Sequence, residues 1–503
     1  MMLADLPVVV GVGQITDRND DLAAKREPVA LLEQAARLAL TDAHCSGLAH
    51  RIDSVRVVNM LSGAAYKDPA GMLATRLGLA SGERLYTTIG GNAPQWLLNR
   101  SADDLATGRC RAVLIAGGEA LHTLRLASKR RVELAWAQGR ERPTTIGDNR
   151  QGSHPDEWNY GLQMPTQIYP LFEVALRADE GRSPAAHHAH LARLSASLAA
   201  VAAAHPHAWF RDGKSADEIG TLTASNRMIA YPYPKYMTSI LEVDQAAAVI
   251  VTTVGEALAL GIPRSQWVYV HGGGEANDIW HVKDRVDYHS SPGMVEACRQ
   301  ALEQAAVDPC AIDLFDLYSC FPVAAQLAAR ILGVPTDGTR PLSVTGGLPY
   351  FGGAGNNYAL HAIATMVERL RTAPKSLGLV SALGWYLTKH AVGIYGAQAP
   401  DRPWVRNRTA KTQQAIDTLP HPEFISQMNG RGTVETYTVL HDREGAAIES
   451  IVVVRCDDGS RTFALTDSTP DVLASFEHEE MVGARGALRA RADGRNEFCL
   501  AGG

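Results

Sequence analysis

The chain has 503 residues, of which 46% are hydrophobic and 20% are charged, and its formal net charge is −6. This length and composition fit two or more domains with large cores, and the negative balance excludes binding to nucleic acid or an acidic membrane through overall charge. Seven scattered cysteines without metal-ligand spacing indicate reduced thiols rather than a disulfide framework. The N-terminal segment has no basic region of the signal-peptide type, and no apolar run is long enough for a membrane span, so we expect a cytoplasmic protein.

Strands and helices alternate through residues 1–120, which we take as a first domain half. The patterns predict, in chain order, a strand at 7–12, a helix at 29–43, a strand at 51–60, a helix at 70–78, and a strand, tight turn, helix and strand at 85–120. This alternation is typical of an α/β fold whose parallel or mixed sheet is covered by helices on both faces.

Residues 121–244 are too many for a simple connection and are rich in helix formers, so we expect an inserted subdomain. Residues 245–400 then repeat the earlier order. The predicted strand at 312–319 corresponds to the one at 51–60, and the helix and strand at 359–384 correspond to those that end the first half. We interpret this repetition as the duplication of one α/β unit.

The composition changes after residue 400. Residues 401–429 are predicted to be a linker with a short helix, and residues 430–503 show alternating strands separated by polar turns. We predict a small antiparallel β-barrel there, similar to an OB-fold. From Gly430 onward thirteen Asp and Glu stand against eight Arg and no Lys, which is the wrong sign for a groove that binds a nucleic-acid backbone.

The segment 85–120, here called the nucleophile segment, reads LYTTIGGNAPQWLLNRSADDLATGRCRAVLIAGGEA. It resembles the segment of thiolases, especially of the sterol-carrier-protein type, in which a strand delivers a cysteine to a helix N-terminus that favours a thiolate. In this chain Gly91 stands at the nucleophile position, after Gly90. The resemblance implies a duplicated, five-layered thiolase fold (βαβαβαββ twice) in which residues 121–244 form the loop domain that covers coenzyme A.

The second loop (316–326), DLYSCFPVAAQ, resembles the family's Asn-Glu-Ala-Phe loop. Tyr318 takes the place of the asparagine and is a candidate acid–base group, or a half-buried packing residue. Cys320 precedes a helix, and we interpret it as a buried structural thiol in preference to a substitute nucleophile.

The third loop (343–363), SVTGGLPYFGGAGNNYALHAI, resembles the glycine-rich loop that carries the family's catalytic histidine. Gly353 stands at the histidine position, and Tyr350 is a second phenol candidate. Asn356 and Asn357 are predicted to be either helix caps or ligand contacts. The fourth loop (379–390), LVSALGWYLTKH, places Ala382 where the family has its second cysteine.

His390, in the fourth loop, is a further catalytic candidate, although a histidine displaced along a strand is more often structural. The glycines of these loops are the candidate substrate-binding positions, since glycine permits a close approach of backbone to ligand: Gly90, Gly91, Gly346, Gly347, Gly352, Gly353 and Gly384.

Neither a metal nor a nucleotide cofactor is expected. The histidine-containing stretches at 187–190 and 271–275 lack a complete ligand set. The GVGQ stretch at 11–14 follows a strand but lacks the third glycine of a dinucleotide site. Coenzyme A would enter only as part of the substrate.

Three functions remain open. The first is an acyl-CoA-binding protein of lipid metabolism that resembles acetyl-CoA acetyltransferase but is inactive in thiolysis and Claisen condensation. The second is a retro-aldolase acting on 3-hydroxyacyl-CoA through Tyr318, as in some thiolase-like lipid-transfer proteins that work with an OB-type partner. The third is a non-catalytic scaffold whose C-terminal barrel binds a protein partner.

Overall fold

The computed structural model describes residues 3–63, 66–137, 144–405 and 410–501, so the predicted linker is described except for residues 406–409. The first half contributes β1 (Pro7–Thr16), α1 (Pro28–Asp42), β2 (Ile52–Val57), α2 (Pro69–Leu77), β3 (Glu83–Thr87), α3 (Ala93–Ala106) and β4 (Ala112–Ala120). Helix α2 shows how the sequence sets such boundaries. The Asp68 side chain accepts a hydrogen bond from the Gly71 amide at its start, and Gly78 adopts the left-handed conformation (φ 69°) that ends it.

The inserted segment is mostly helical. It comprises α4 (Leu121–Arg130), β5 (Thr144–Ile146), α5 (Pro155–Trp158), α6 (Pro165–Asp179), α7 (Pro184–Ala204), α8 (Ala216–Gly220), β6 (Met228–Ala230) and β7 (Tyr233–Pro234). The second half follows with β8 (Asp244–Thr253), α9 (Val254–Ala259), β9 (Val268–Asn277), α10 (Pro292–Ala305), β10 (Leu314–Asp316), α11 (Pro322–Leu332), α12 (Tyr358–Thr372), β11 (Leu377–Gly384) and β12 (Lys389–Gly396).

The two halves share one strand order, which confirms the duplication. A ten-stranded sheet runs β10-β11-β12-β9-β1-β8-β4-β2-β3-β5, so the order β2-β4-β8-β1 in one half matches β10-β11-β12-β9 in the other. In each half the first pair is parallel and the next two pairs are antiparallel. Strand β8, which the sequence analysis placed with residues 245–400, lies between β4 and β1 and completes the sheet of the first half.

The helices form the outer and central layers. Helices α1 and α2 cover the first half, and α10 covers β9 and β12 of the second. Helices α3 and α12 contact strands of both halves and lie between them. This gives five layers, with near-continuous burial along β4 and β8 because helices cover both faces of these strands.

Paired glycines allow the outer helices to pack closely on the sheet. A Cβ atom added at Gly13 would lie 2.7 Å from the Ala39 nitrogen of α1, and one at Gly274 would lie 2.9 Å from the Ala301 nitrogen of α10. The GVG stretch of β1 and the GGG stretch of β9 are therefore equivalent packing positions in the duplicated halves, and helix–strand contact accounts for them.

The C-terminal part forms a closed five-stranded barrel. Its elements are α13 (Ala410–Asp417), β13 (Gly430–His441), β14 (Ala447–Cys456), β15 (Arg461–Leu465), α14 (Pro470–His478), β16 (Arg485–Ala490) and β17 (Asn496–Leu500). The order β14-β15-β17-β16-β13, closed by β13–β14 pairing, with a helix after the third strand, is that of an OB-fold. The barrel pairings are antiparallel except that of β15 with β17, which is parallel.

The barrel is fixed to the rest of the chain by strand pairing and by polar contacts of two buried arginines. Strand β13 pairs with β6 of the inserted segment at Leu440 and Ala230. Arg177 of α6 makes a two-bond ion pair with Glu480, at 2.5 and 2.7 Å. Arg461 of β15 donates to backbone carbonyls of the segment 283–286. In the described part of the chain no helix has the length and apolar character needed to cross a membrane.

Candidate active site at the N-terminus of helix α3

All four segments singled out from the sequence meet at the start of α3, where Gly91 lies. A Cβ atom added at Gly91 would lie 2.6 Å from the Leu383 carbonyl oxygen and 2.8 Å from Tyr318 Cζ, and closer still to the Tyr318 hydroxyl oxygen. The phenol of the second loop therefore fills the space into which a nucleophilic side chain would project. Glycine is required at position 91 because Tyr318 and the fourth loop leave no room for a Cβ atom.

Tyr318 is held in a closed environment. Its amide donates to Ser381 Oγ at 3.0 Å, and its ring meets Tyr358 edge-on at a centroid distance of 5.5 Å. The residue is 6% exposed, and its hydroxyl makes no hydrogen bond to any residue that the structure describes. Burial raises the pKa of the Tyr318 phenol far above its usual range, so the phenol is neutral at physiological pH and keeps a proton that it can donate to a ligand.

The third loop reaches the same place through Asn356. Its Oδ1 accepts a hydrogen bond from the Gly90 amide at 2.9 Å, and its Nδ2 donates to the Asn59 carbonyl at 3.0 Å. Asn357 donates to the Gly117 carbonyl at 2.8 Å and gives α12 no side-chain cap. Both asparagines thus tie the third loop to the first half of the chain, which neither interpretation of the sequence had anticipated.

The glycines of the third loop are explained by conformation and by protein contacts. Gly346 and Gly352 have φ values of 108° and 114°. A Cβ atom added at Gly346 would lie 2.5 Å from Ala202, and one added at Gly352 would lie 2.5 Å from the Gln245 amide oxygen. Gly347 has a φ of 77° and faces Ser319 Oγ. Gly353 donates its amide hydrogen to the Ile240 carbonyl at 2.7 Å.

The fourth loop lies against the nucleophile segment. A Cβ atom on Gly384 would lie 2.9 Å from Gly90 Cα, and Ala382 pairs with Ala391 in the β11–β12 ladder. The turn that follows holds Trp385 and Leu387 at positive φ values of 56° and 53°, which are strained for side chains of this size.

This turn is clamped by two groups that the sequence analysis missed. Tyr169 donates to the Trp385 carbonyl at 2.9 Å. Buried Arg285 donates to the Leu387 and Tyr386 carbonyls, both at 2.8 Å. Nothing in the local sequence around Arg285 marks it, because its partners lie about a hundred residues further along the chain.

The three candidate catalytic residues lie in three different environments. Tyr318 lies beside Gly91, whereas Tyr350 donates to the Tyr236 carbonyl at 2.9 Å and lines another cavity. His390 Nε2 lies 3.0 Å from Asp278 Oδ2 and 3.2 Å from the Leu387 carbonyl.

His390 also lines a small cavity of about 160 Å³ beside the start of α3. We call it the lysine cavity, and its walls include Thr88, Asn92, Trp96, Lys389, His390 and Gln413.

The cavity lined by Tyr350 has a volume of about 420 Å³ and is called the outer cavity. Its walls combine cations and aromatic rings, among them Arg125, Trp209, Phe210, Lys214, Lys235 and Tyr236. Arg125 pairs with Glu242 at 2.7 Å and Lys214 pairs with Asp212, while Lys235 has no carboxylate partner among the described residues.

Backbone hydrogen bonds join the wall of the outer cavity to the second and third loops. The Ile240 amide, in its wall, donates to the Leu348 carbonyl at 3.3 Å, and the adjacent Ser239 amide donates to the Cys320 carbonyl at 3.2 Å. The second loop therefore lies directly behind the wall of the outer cavity.

A buried carboxylate supports the third loop from β4. Glu119 accepts hydrogen bonds from the Leu61 amide at 2.7 Å and the Ser62 amide at 2.8 Å, and it packs against Gly355. Burial raises the pKa of Glu119 to about 7, against the opposing effect of its Ser62 hydrogen bonds.

Glu119 should make stability pH-dependent. Its folded-state pKa is raised, so its contribution is complete below the unfolded pKa near 4.5 and is lost as pH rises through about 7. We expect Glu119→Gln to reduce the fall in the free energy of unfolding between pH 5 and pH 8. Urea titrations at several pH values measure this, with exposed Glu303→Gln as the control. An unchanged pH slope in Glu119→Gln would contradict the assignment.

One group of possible metal ligands occurs in the described residues. Glu83, Asp104 and Cys110 have ligand atoms within 4.8 Å of one another. The Arg56 guanidinium lies among them, with Nη2 at 2.9 Å from Glu83 and 2.6 Å from Asp104. An arginine therefore supplies the positive charge that these carboxylates need.

These features define a thiolase-like protein with a C-terminal OB-type barrel. They are two halves that share one strand order, a helical segment inserted between them, and loops that meet at the start of α3. The chain belongs to the SCP2-thiolase-like protein type 1 family. It is 32% identical to the monomeric SCP2-thiolase-like protein type 1 from Mycobacterium smegmatis, with a TM-score of 0.84 over 99% of this chain and 100% of that one. The family model of the thiolase-like protein type 1 additional C-terminal domain matches residues 411–495.

More distant structures share the fold. The Ltp2-ChsH2(DUF35) aldolase is 17% identical, with a TM-score of 0.60 over 80% of this chain and 99% of that one. An acetyl-CoA acetyltransferase from Syntrophomonas wolfei is 16% identical, with a TM-score of 0.53 over 78% of this chain and 99% of that one. No curated protein matches the chain.

Proposed function

We propose that this protein binds an acyl-CoA thioester in the cytoplasm, in lipid metabolism, and does not catalyse thiolysis or Claisen condensation. The observation that carries the proposal is the position of the Tyr318 phenol in the space beside Gly91 where a nucleophilic side chain would lie. Gly91, Gly353 and Ala382 supply none of the thiol or imidazole groups that those reactions need. The proposal requires no cofactor beyond the CoA part of the ligand.

The outer cavity supports binding of the nucleotide end of CoA. Lys235 provides positive charge for phosphates, and the Trp209 and Phe210 rings provide surfaces on which an adenine can stack. The cavity volume of about 420 Å³ suits part of a ligand of this size, and its wall adjoins the second loop. The acyl end would then approach the fold at Tyr318.

We expect CoA to bind, and reversal of one charge at the outer cavity to weaken binding. Lys235→Glu should raise the CoA dissociation constant by about fivefold, since an exposed charge contributes about 1 kcal/mol. Isothermal titration calorimetry with CoA measures this. Lys375→Glu is the matched control, because Lys375 is exposed on another part of the surface. Absence of CoA binding at millimolar concentration, or equal weakening by both variants, would refute the proposal.

A retro-aldolase acting on 3-hydroxyacyl-CoA is the second candidate. The donor-ready Tyr318 hydroxyl at the start of α3 favours it, as does the shared fold with an aldolase. In that reaction the 3-hydroxyl loses its proton, the C2–C3 bond breaks, and the electron pair forms a thioester enolate that is reprotonated at C2. The raised pKa of Tyr318 disfavours this phenol as the base.

Product analysis separates the two candidates. Release of an aldehyde or ketone from a 3-hydroxyacyl-CoA, lost in Tyr318→Phe, would establish the retro-aldolase. CoA binding with an unchanged 3-hydroxyacyl-CoA would support the binding protein. A scaffold whose barrel recruits a protein partner would bind no CoA, and its barrel would retain that partner when Lys235 is reversed.

A further inference from the structure

The lysine cavity contains an amine with unusual surroundings. Lys389 opens strand β12, is 5% exposed, and lies beside the nucleophile segment, since a Cβ atom on Gly90 would be 3.1 Å from its Nζ. Its ammonium donates to the Ile89 carbonyl at 2.6 Å and the Asp148 carbonyl at 3.4 Å. Within the described ranges no carboxylate lies within ion-pair distance of Nζ. The Asp148 carboxylate is held by Arg150 at 2.6 Å.

A buried cation without an ion pair shifts toward its neutral form. Burial lowers the pKa of the Lys389 amine to about 8, with the Asp148 carboxylate opposing this change and Arg150 reinforcing it. The other titratable groups in the cavity wall are Glu275 and His390. At pH 7 about one tenth of such amines is neutral, against about one in three thousand for an ordinary lysine.

We propose that Lys389 forms an imine with short-chain aldehydes or ketones that enter the lysine cavity. The neutral Nζ attacks the carbonyl carbon, and a proton passes from nitrogen to oxygen to give a neutral carbinolamine. The carbinolamine hydroxyl then takes one proton from bulk water, the C–O bond breaks, water leaves with the carbonyl oxygen, and a protonated imine remains. Asn92 and Thr88 supply polar groups beside the carbinolamine hydroxyl, and Trp96 supplies an apolar wall.

Size defines the ligand class. A cavity of about 160 Å³ holds a molecule no larger than roughly benzene, so small carbonyl compounds fit it. Helix α13 covers the cavity, because Gln413 exchanges two hydrogen bonds of 2.8 Å with the Asn277 backbone.

Reductive trapping on the full chain tests the proposal. Wild-type protein is treated with propanal and sodium cyanoborohydride at pH 7, and adducts are mapped by peptide mass spectrometry. We expect labelling of Lys389 on the order of tenfold above that of exposed Lys235, because its neutral fraction is larger. The yield at Lys389 should rise with pH and level off above about pH 8.

Two controls keep the result specific. 2-Naphthaldehyde, which is too large for the cavity, should label Lys235 and leave Lys389 unmodified. Lys389→Arg should lose the preferred adduct, whereas Lys235→Arg should keep it. Unmodified Lys389 in wild-type protein, or equal labelling of all lysines, would overturn the proposal without affecting the CoA titration, which examines a different cavity.

Discussion

A cysteine at position 91 should destabilise the fold and should not restore thiolysis. The new Cβ atom would lie 2.6 Å from the Leu383 carbonyl oxygen and would clash even more closely with the Tyr318 hydroxyl oxygen. A backbone oxygen in a packed ladder moves little, so we expect a loss of about 3 kcal/mol in the free energy of unfolding, at the upper end of typical overpacking effects. Denaturant titration followed by circular dichroism measures this, and acetoacetyl-CoA cleavage measures thiolysis.

The matched control is Gly82→Cys. A Cβ atom added at Gly82 meets no atom within 4 Å, so this variant should be close to wild type in stability. Tyr318→Phe removes the hydroxyl and should recover part of the loss when combined with Gly91→Cys, with a coupling of about 1 kcal/mol. A Gly91→Cys variant that is as stable as wild type, or that cleaves acetoacetyl-CoA, would show that the space beside position 91 is open.

Replacing Arg461 by alanine should loosen the barrel from the rest of the chain. The Arg461 side chain is fully buried, pairs with Glu435 at 2.6 Å, and donates to the Lys283 and Val286 carbonyls, both at 3.2 Å, and to the Arg285 carbonyl. Its removal leaves a carboxylate and three carbonyls with fewer donors. We expect a loss of about 3–5 kcal/mol in the free energy of unfolding.

The control is Arg485→Ala, also in the barrel. Arg485 and its partner Asp457 are about half exposed, at 54% and 49%, so the pair should contribute only about 0.2–1 kcal/mol. Urea titration compares the two variants, and limited proteolysis should release the barrel from Arg461→Ala alone. Equal effects of the two substitutions would mean that Arg461 does not fix the barrel.

Most of the architecture was predictable because it depends on local patterns. Apolar runs and helical spacing located the strands and helices of both halves, and the repeated order of these elements indicated the duplication that the matched strand orders confirm. Alternation after residue 430 located the barrel. The place of β8 was not predictable, since its pairing with β1 and β4 joins segments far apart in the chain.

The segments that form the candidate site could be predicted from the sequence, but the contacts between their side chains could not. The resemblance located Gly91, Tyr318 and Gly384 on segments that the structure brings together. It did not show that the Tyr318 phenol fills the space into which a side chain at position 91 would project, or that Tyr350 and His390 line other cavities.

The sequence by itself determined the two-half α/β fold and the C-terminal barrel, because periodicity and residue identity are written along the chain. Only the tertiary structure decided what fills the space beside Gly91, what clamps the Trp385 turn and which lysine is buried beside Gly90. Those outcomes depend on contacts between distant segments. Burial raises the pKa of Tyr318 and lowers the pKa of Lys389, and that burial exists only once the segments have packed.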